Sequence, residues 1–163
     1  MKTTPEAGLE HSFLFRVPAT KTVPALYPEA PEFQAMPQVL ATGYLVGLLE
    51  WACMQAMSPF LEAPHELTLG THIHVSHGAA TPPGLEVLVR VKLIRVEGRR
   101  LLFEVEAHDG LDLISRGRHE RCVIDRRRFD HRMAQKAGRE APPAYMTART
   151  STSTCASRTD SPM

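Results

Sequence analysis

The sequence predicts an α+β fold in which an antiparallel sheet wraps around one long central helix. Two observations carry this prediction. Residues 38–57 form an apolar stretch of helical length, and residues 71–124 consist of segments in which apolar and polar side chains alternate. Alternation with a period of two is typical of half-buried strands. One strand, one helix and then a run of strands joined by tight turns is the order of an α+β domain.

The stretch QVLATGYLVGLLEWACMQAM, residues 38–57, is apolar on nearly every side. This is typical of a helix enclosed by other structure. Pro37 suits its first turn and Ser58-Pro59 its end, and Thr42 is an alternative start whose hydroxyl would cap the helix. The stretch is long enough to span a membrane, but Glu50 near a bilayer centre would cost about 2.5 to 3.5 kcal/mol. We therefore expect a soluble core helix and no membrane partner.

Glu50 is the one carboxylate inside this apolar helix. An ionised carboxylate placed in apolar surroundings without a partner is strongly disfavoured. Glu50 must therefore be protonated, paired, or facing a cavity in which it is used. The small residues Gly43 and Gly47 are interpreted as positions that let the sheet approach the helix closely.

Two segments precede the helix. Residues 9–17 alternate loosely and predict a first strand, which Pro18 ends. Residues 18–37 are rich in proline, which forbids a long helix or a central strand. We expect this segment to be an ordered lid with short helical turns. Its apolar side chains are numerous enough to cover a surface: Val23, Leu26, Tyr27, Phe33 and Met36.

Four strands are predicted after the helix, at residues 71–77, 85–96, 100–108 and 113–124. Turn sequences separate them, and we expect a meander in which each strand pairs with the next. The expected inward side chains of the second and third of these strands are Leu85, Val87, Val89, Val91, Leu93, Leu101, Phe103, Val105 and Ala107.

The first of these strands carries three histidines. Alternation places His72 and His74 on its polar face and His77 on its apolar side. An H-x-H pair is able to bind a metal, but no third ligand is evident nearby, so we expect no metal site. His77 is either a core histidine with a hydrogen bond or a functional group.

Composition limits the partners and the location. The chain has 163 residues, 43% of them hydrophobic, and a formal charge of +1, so it is long enough for one domain and has no excess charge that calls for nucleic acid. Cys53, Cys122 and Cys155 lack CxxC spacing and are expected to be free thiols. No secretory signal is evident, so we expect a cytoplasmic protein.

The C-terminal part predicts a short charged helix over residues 126–136 and then a polar tail. We interpret the run of three arginines at 126–128 as a solvated face. From residue 138 onward the chain is rich in Ser, Thr and Pro. Such a segment has little to bury, so we expect one domain over residues 1–137 and disorder over residues 138–163.

Several separated blocks of the chain resemble the fluoroacetyl-CoA thioesterase family, in the same order, from about residue 9 to residue 136. The resemblance implies a hotdog fold, in which an antiparallel sheet wraps around a long helix, and a homodimer with active sites at the subunit interface. It also implies hydrolysis of a short-chain, fluoroacetyl-CoA-like acyl-CoA to the free acid and CoA, without a cofactor. The blocks are KTVPALYPEAPEF (21–33), ATGYLVGLLEWAC (41–53), LGTHIHVSHGAATPPG (69–84), VEGRRL (96–101), AHDGLD (107–112) and HERCVI (119–124).

The resemblance also assigns site residues. The family's catalytic threonine, glutamate and histidine correspond to Thr42, Glu50 and His77. Position 36 departs from the family pattern, because the fluoroacetyl-selective member has an aromatic residue where this chain has methionine. Thioesterase chemistry is therefore expected, and fluoroacetyl selectivity is a separate question. The expected substrate-binding residues are Gly70, through its backbone N–H, Arg121, and the lid side chains Val23, Leu26, Phe33 and Met36.

Thioester hydrolysis needs a nucleophile or activated water, a proton donor and acceptor, and donors for the developing oxyanion. Glu50 is suited either to attack the carbonyl and form an acyl-enzyme anhydride or to act as a base on water. Both roles require an ionised carboxylate, whereas burial favours the neutral form. The candidates to counter that effect are His77 and Thr42.

Helix geometry separates two of these residues. Thr42 and Glu50 are eight positions apart, so one continuous helix places them about 12 Å apart along its axis and roughly 80° apart around it. If they share a site, a two-fold related copy must contribute one of them, and activity then requires a dimer.

Two other functions remain open from the sequence. The hotdog fold also hosts hydratases and dehydratases that act on acyl-CoA. A non-catalytic acyl-CoA-binding dimer would bind the same ligand without releasing a thiol.

Overall fold

The structure, a computed structural model, describes residues 1–139. The chain divides into two compact units, Met1–Arg127 and Arg128–Met163, and the second is described only as far as residue 139. Nearly all of the tail for which we predicted disorder, residues 138–163, lies outside the described residues.

Five strands and four α-helices follow one another in the described part of the chain. The predicted first strand, lid turns, central helix and C-terminal helix are confirmed, whereas the first strand after the helix begins at residue 66 rather than 71. Single turns of 3-10 helix occur at Ala19–Lys21 and Ser58–Phe60. The elements are β1 (Glu10–Arg16), α1 (Val23–Leu26), α2 (Pro31–Gln34), α3 (Thr42–Met57), β2 (Glu66–Val75), β3 (Glu86–Glu97), β4 (Arg100–His108), β5 (Leu113–Asp125) and α4 (Arg126–Ala137).

The five strands form one antiparallel sheet with the order β1-β3-β4-β5-β2. The meander prediction is correct for β3, β4 and β5 and wrong for β2, which pairs with β5 instead of β3. The reason is that β1 occupies the outer edge of β3, so the open edge left for β2 is that of β5. With α3 packed on one face of this sheet, the predicted hotdog fold is confirmed.

The core lies between α3 and the inward face of the sheet. The alternation predicted for β3 is confirmed as far as Leu93 and that for β4 along the whole strand, because every second residue there is buried, whereas Leu85 is only half-buried and lies outside β3. Burying one large apolar side chain stabilises a fold by about 1.5–3 kcal/mol, so this layer holds the helix on the sheet. The helix contributes Leu45, Leu48, Leu49, Ala52, Cys53, Ala56 and Met57.

The helix α3 begins at Thr42, which confirms the alternative start, whereas the predicted start near Pro37 is wrong. Tertiary backbone hydrogen bonds hold the preceding residues out of the helix. Leu40 N donates to Thr81 O at 2.8 Å, and Ala41 N donates to Lys21 O at 3.1 Å. The N-cap residue is Ala41, so the hydroxyl of Thr42 does not cap the helix and is free for another contact.

One side of α3 is uncovered, which corrects the expectation of a helix enclosed all round. Trp51 and Met54 are each 46% exposed, and a Cβ added to Gly47 would meet no atom within 4 Å. We call Gly43, Gly47, Trp51 and Met54 the exposed stripe. A single sheet covers only one side of a helix, so enclosure of the stripe needs a second layer. Within residues 1–139, no helix is long and apolar enough to cross a membrane.

The lid lies over the start of α3. A Cβ added to Gly43 would come within 3.3 Å of Leu26, so Gly43 makes room for the lid and not, as we interpreted, for the sheet. The hydroxyl of Tyr44 donates to Ala25 O at 3.2 Å. The rings of Tyr27 and Phe33 lie 5.1 Å apart and join the two short lid helices.

A buried hydrogen bond joins the loop after β2 to the turn between β4 and β5. Thr81 Oγ1 donates to Asp109 Oδ2 at 2.9 Å, and Thr81 O accepts the N–H of Leu40. Asp109 Oδ1 also accepts the N–H groups of Leu111 and Asp112. The loop that carries His77 and the start of α3 are thus held to one turn.

This anchor makes stability depend on pH. Burial raises the pKa of Asp109, but the hydrogen bonds from Asp112, Leu111 and Thr81 outweigh it, so the pKa lies below 3.8. A carboxyl whose pKa falls on folding stabilises the fold above its unfolded-state pKa, and the contribution is lost as the pH falls through the folded-state value. We expect Asp109→Asn to lower the free energy of unfolding at pH 7 by about 1 kcal/mol, and by less at acid pH.

Urea unfolding at the two pH values measures this difference. Asp112→Asn is the matched control, because it removes the same charge from an exposed carboxylate in the same turn. Equal losses of stability in the two variants, or a loss for Asp109→Asn that does not shrink in acid, would contradict the prediction.

Candidate active site

Glu50 projects from α3 toward the inward face of β2. Its carboxylate lies against Gly70, where an added Cβ would come within 2.8 Å of Glu50 Oε1 and 2.9 Å of His119 Cε1. Any side chain at position 70 would displace one of these groups, so the close approach requires glycine. The Glu50 side chain is 38% exposed. The carboxylate is therefore within reach of a substrate on one side and faces buried groups on the other.

Two buried basic groups of β5 stand behind this carboxylate. Arg121 Nη1 is 3.7 Å from Glu50 Oε2, and His119 Nε2 is 3.8 Å from Glu50 Oε1. The side chains of Arg121 and His119 are 2% and 1% exposed. Burial lowers the pKa of both groups, but a guanidinium stays charged in proteins. Arg121 is therefore the positive charge that favours ionised Glu50.

The guanidinium of Arg121 is held by hydrogen bonds at both ends. Nε donates to Thr68 Oγ1 at 3.0 Å, and Nη2 donates to Thr68 O at 2.8 Å. Nη1 lies 2.9 Å from His119 Nε2. One helical turn beyond Glu50, burial raises the pKa of the Cys53 thiol to about 12, so this cysteine stays protonated and unreactive.

A second pair of polar groups lies at the start of α3. Thr42 Oγ1 and His77 Nδ1 are 2.8 Å apart. The other ring nitrogen, His77 Nε2, is buried and has no hydrogen-bond partner among the described residues. Burial lowers the pKa of His77 and so favours the neutral imidazole. A neutral imidazole that contacts a hydroxyl is suited to act as a base and to exchange protons with neighbouring groups.

The two pairs do not meet within one chain. In residues 1–139, no hydrogen bond or ion pair joins Glu50 to Thr42 or His77. The groups beside the Glu50 carboxylate are Arg121 and His119, where the sequence suggested His77 and Thr42. The described chain therefore presents two separate clusters of residues, which we call half-sites: Thr42 with His77, and Glu50 with Gly70, His119 and Arg121.

The lid residues lie nearer to the first half-site. Leu26 packs on Gly43, which follows Thr42 in the chain. Val23 is half-buried, and its N–H donates to Val39 O at 3.0 Å, three residues before Thr42. Phe33 packs on Tyr27, and Met36 is 50% exposed. Val23 and Leu26 are thus close to the start of α3, whereas no ring contact or hydrogen bond of the described residues links Phe33 or Met36 to either half-site.

His119 is the site residue that sequence reasoning missed. It lies two positions before Arg121 and four before buried Val123, so alternation along β5 places all three on the inward face. That signal was present in the motif HERCVI. His72 and His74 are exposed, and residues 1–139 contain no group of three or more His, Cys, Asp or Glu able to hold a metal ion.

Comparison with known proteins identifies the family. The sequence profile described as "fluoroacetyl-CoA-specific thioesterase" matches residues 24–127. The chain is 54% identical, over 136 residues, to the fluoroacetyl-CoA thioesterase of Streptantibioticus cattleyicolor. The matched region covers 83% of this chain and 97% of that relative.

Solved structures support the same family assignment. The crystal structure of the fluoroacetyl-CoA thioesterase FlK superposes with a TM-score of 0.80 at 53% identity, covering 82% of this chain and 98% of that one. A variant of FlK in complex with fluoroacetate and CoA superposes with a TM-score of 0.75 at 55% identity, covering 77% and 99%. Of the functions left open by the sequence, the thioesterase is the one that these relatives share. The chain therefore belongs to the fluoroacetyl-CoA-specific thioesterase family and is an enzyme that hydrolyses acyl-CoA thioesters.

Proposed function

We propose that this enzyme hydrolyses short acyl-CoA thioesters of the fluoroacetyl-CoA type, with Thr42, Glu50 and His77 as its catalytic residues. The observation that carries the proposal is the environment of Glu50, a partly exposed carboxylate held between Gly70 and the buried charge of Arg121. The substrate class is supported by the relatives, which are named for fluoroacetyl-CoA. The reaction as proposed uses water and groups of the protein itself. A cytoplasmic location stays a prediction.

Glu50 attacks the thioester carbonyl or activates water for that attack. Attack by the carboxylate forms a C–O bond and breaks the C–S bond, giving an anhydride and CoA thiolate, which takes up a proton. Water then cleaves the anhydride and restores the carboxylate. If Glu50 is instead a base, it takes the proton of the water that attacks. In both cases the N–H of Gly70 is the proposed donor to the carbonyl oxygen as it gains charge.

His77 supplies the proton transfers. Its neutral ring accepts a proton at one nitrogen while the other contacts Thr42. Nε2, which is buried and has no hydrogen-bond partner among the described residues, is the atom proposed to exchange a proton with the attacking water or with the sulfur of the leaving group. With Nε2 as the proton acceptor, the neutral ring carries its proton on Nδ1 and donates it to Thr42 Oγ1 across the 2.8 Å contact, so Thr42 orients the ring.

We expect Glu50→Gln and His77→Ala each to lower kcat by about 10²–10⁴-fold, because each removes a group that transfers protons or attacks the carbonyl. Thiol release from short acyl-CoA substrates measures kcat, and circular dichroism verifies folding. The matched controls are Glu62→Gln and His65→Ala, which change exposed residues and should leave kcat unchanged. Unchanged turnover in Glu50→Gln or His77→Ala would refute the corresponding assignment.

The site is proposed to form between two copies of the chain. The half-sites lie apart within one protomer, and eight residues of helix separate Thr42 from Glu50 by about 12 Å. Glu50 lies three, four and seven positions from Gly47, Met54 and Gly43, so it shares a helix face with the exposed stripe. A second protomer that covers this face would enclose the stripe and bring its own Thr42 and His77 toward Glu50.

Mixing two inactive variants tests this arrangement. Subunits of His77→Ala and Glu50→Gln, unfolded together and refolded in equal amounts, should recover about one quarter of wild-type activity, because half of the dimers are heterodimers and each has one intact site. Thiol release before and after refolding measures the recovery. Variants refolded separately and then mixed are the control. A refolded mixture no more active than its parents would show that each site is built from one chain.

Met36 offers a test of acyl selectivity. An aromatic side chain would cover more of a small acyl group than the flexible methionine does, so we expect Met36→Phe to raise the ratio of kcat/KM for fluoroacetyl-CoA over acetyl-CoA by about tenfold. Met36→Leu, which adds no aromatic ring, is the control and should leave the ratio near its wild-type value. A ratio that responds equally to both substitutions would contradict a role for aromatic cover.

A further inference from the structure

His119 is a buried titratable group that the proposed reaction does not use directly. Its ring is held at two points: Nδ1 lies 2.9 Å from His72 O, and Nε2 lies 2.9 Å from Arg121 Nη1. The edge of the ring rests on Gly70, beside Oε1 of Glu50. His119 is thus placed between the strand pair β2–β5 and the carboxylate that reacts.

The partners of the ring decide which nitrogen carries the proton. A guanidinium has only donors, so Nε2 of His119 accepts from Arg121. A carbonyl oxygen only accepts, so Nδ1 donates to His72 O. Burial lowers the pKa of His119, and Arg121 lowers it as well, against the opposing effects of His72 O, Glu50 and Glu120. The ring is therefore neutral, with its proton on Nδ1.

His119 and Thr68 together fix the guanidinium of Arg121, and His119 holds its Nη1 end. Nε and Nη2 of Arg121 are bound to Thr68, and Nη1 is bound to His119. Glu50 Oε2 is left at 3.7 Å from Nη1. An arginine that bonds a carboxylate directly usually does so at about 2.7–2.9 Å, often through two parallel hydrogen bonds. Arg121 does not do so, although it has no other carboxylate within ion-pair distance in the described chain.

We propose that His119 is a positioning residue, which holds Nη1 of Arg121 on its own Nε2 and so prevents a closed ion pair, in which Nη1 would hydrogen-bond directly to Glu50. The inference rests on the catalytic role of Glu50 proposed above. The positive charge at 3.7 Å favours the ionised carboxylate, while the carboxylate oxygens stay free to attack a carbonyl or to take a proton from water. Without the acceptor on His119, Nη1 turns to Glu50 Oε2, and a carboxylate engaged in charge-assisted hydrogen bonds is a weaker nucleophile and base.

Two substitutions separate this role from a structural one. His119→Gln places a carbonyl oxygen near the position of Nε2 and retains an acceptor for Arg121. His119→Asn places an amide near the position of Nδ1 and retains a donor for His72 O, but leaves Arg121 without its acceptor. We expect His119→Gln to keep kcat within a few-fold of wild type, and His119→Asn to lower kcat by about 10²-fold with KM nearly unchanged. In His119→Asn, the acidic limb of the pH profile of kcat should move to lower pH, because a closed ion pair favours the ionised carboxylate.

The reverse order, an active His119→Asn and an inactive His119→Gln, would show that His119 only ties β2 to β5 and would overturn the proposal. Wild-type kcat and pH profile in both variants would overturn it too. His74→Gln, at an exposed position on β2, is the surface control. Glu50→Gln is measured alongside: if it keeps wild-type kcat, the proposed function fails, and if it is inactive while both His119 variants behave as wild type, only the positioning role fails.

Nitrogen-15 NMR of the wild-type imidazole gives a readout that does not depend on activity or on the folding of a variant. The proposal requires a neutral ring with its proton on Nδ1 throughout the pH range in which the enzyme works. A His119 ring that titrates near the usual histidine pKa of about 6.5, or that carries its proton on Nε2, would overturn it.

Discussion

The burial of the Arg121 guanidinium is the constraint on which the site depends. An uncompensated buried charge is strongly destabilising, so a guanidinium that is 2% exposed needs both hydrogen-bond partners and a counter-charge. The sheet supplies the partners through Thr68 and His119, and the helix supplies the counter-charge through Glu50. A carboxylate in an otherwise apolar helix is tolerated for the same reason, because each charge offsets the cost of burying the other.

The position of β2 in the sheet makes this arrangement possible. Pairing with β5 sets Gly70 opposite Arg121 and brings Thr68 within hydrogen-bond distance of the guanidinium. The bulge between Gly70 and His72 changes the phase of the strand, so that Thr68 and Gly70 face inward before it, and Ile73 and Val75 do so after it. If β2 paired with β3, Arg121 would lose these partners. The sheet order is therefore a requirement of the site as well as of the core.

The parts of the structure that sequence predicted are those set by local pattern. Strict alternation located the buried residues of β3 and β4, and the isolated carboxylate drew attention to Glu50. The predicted pairing of β2 with β3 was wrong because alternation identifies a strand but not the strand with which it pairs. The predicted start of α3 near Pro37 was wrong because Leu40 and Ala41 donate backbone hydrogen bonds to residues far away in the sequence, and local pattern does not reveal such bonds. His119 was missed because a polar side chain on the inward face becomes meaningful only once its partner Arg121 is known to be buried.

In the proposed dimer, the same helix face would link association to catalysis. Trp51 and Met54 are large apolar side chains left half exposed, and Glu50 lies between them and the glycines of the exposed stripe. Covering this face removes apolar surface from water, which favours association, and it excludes water from the carboxylate, which strengthens the field of Arg121 at Glu50. If a second copy of the chain covered the exposed stripe, the same contact would both stabilise the pair and complete the site. Gly47 fits this role, because a Cβ there would meet no atom within 4 Å and a larger side chain would fill space that the proposed second helix needs.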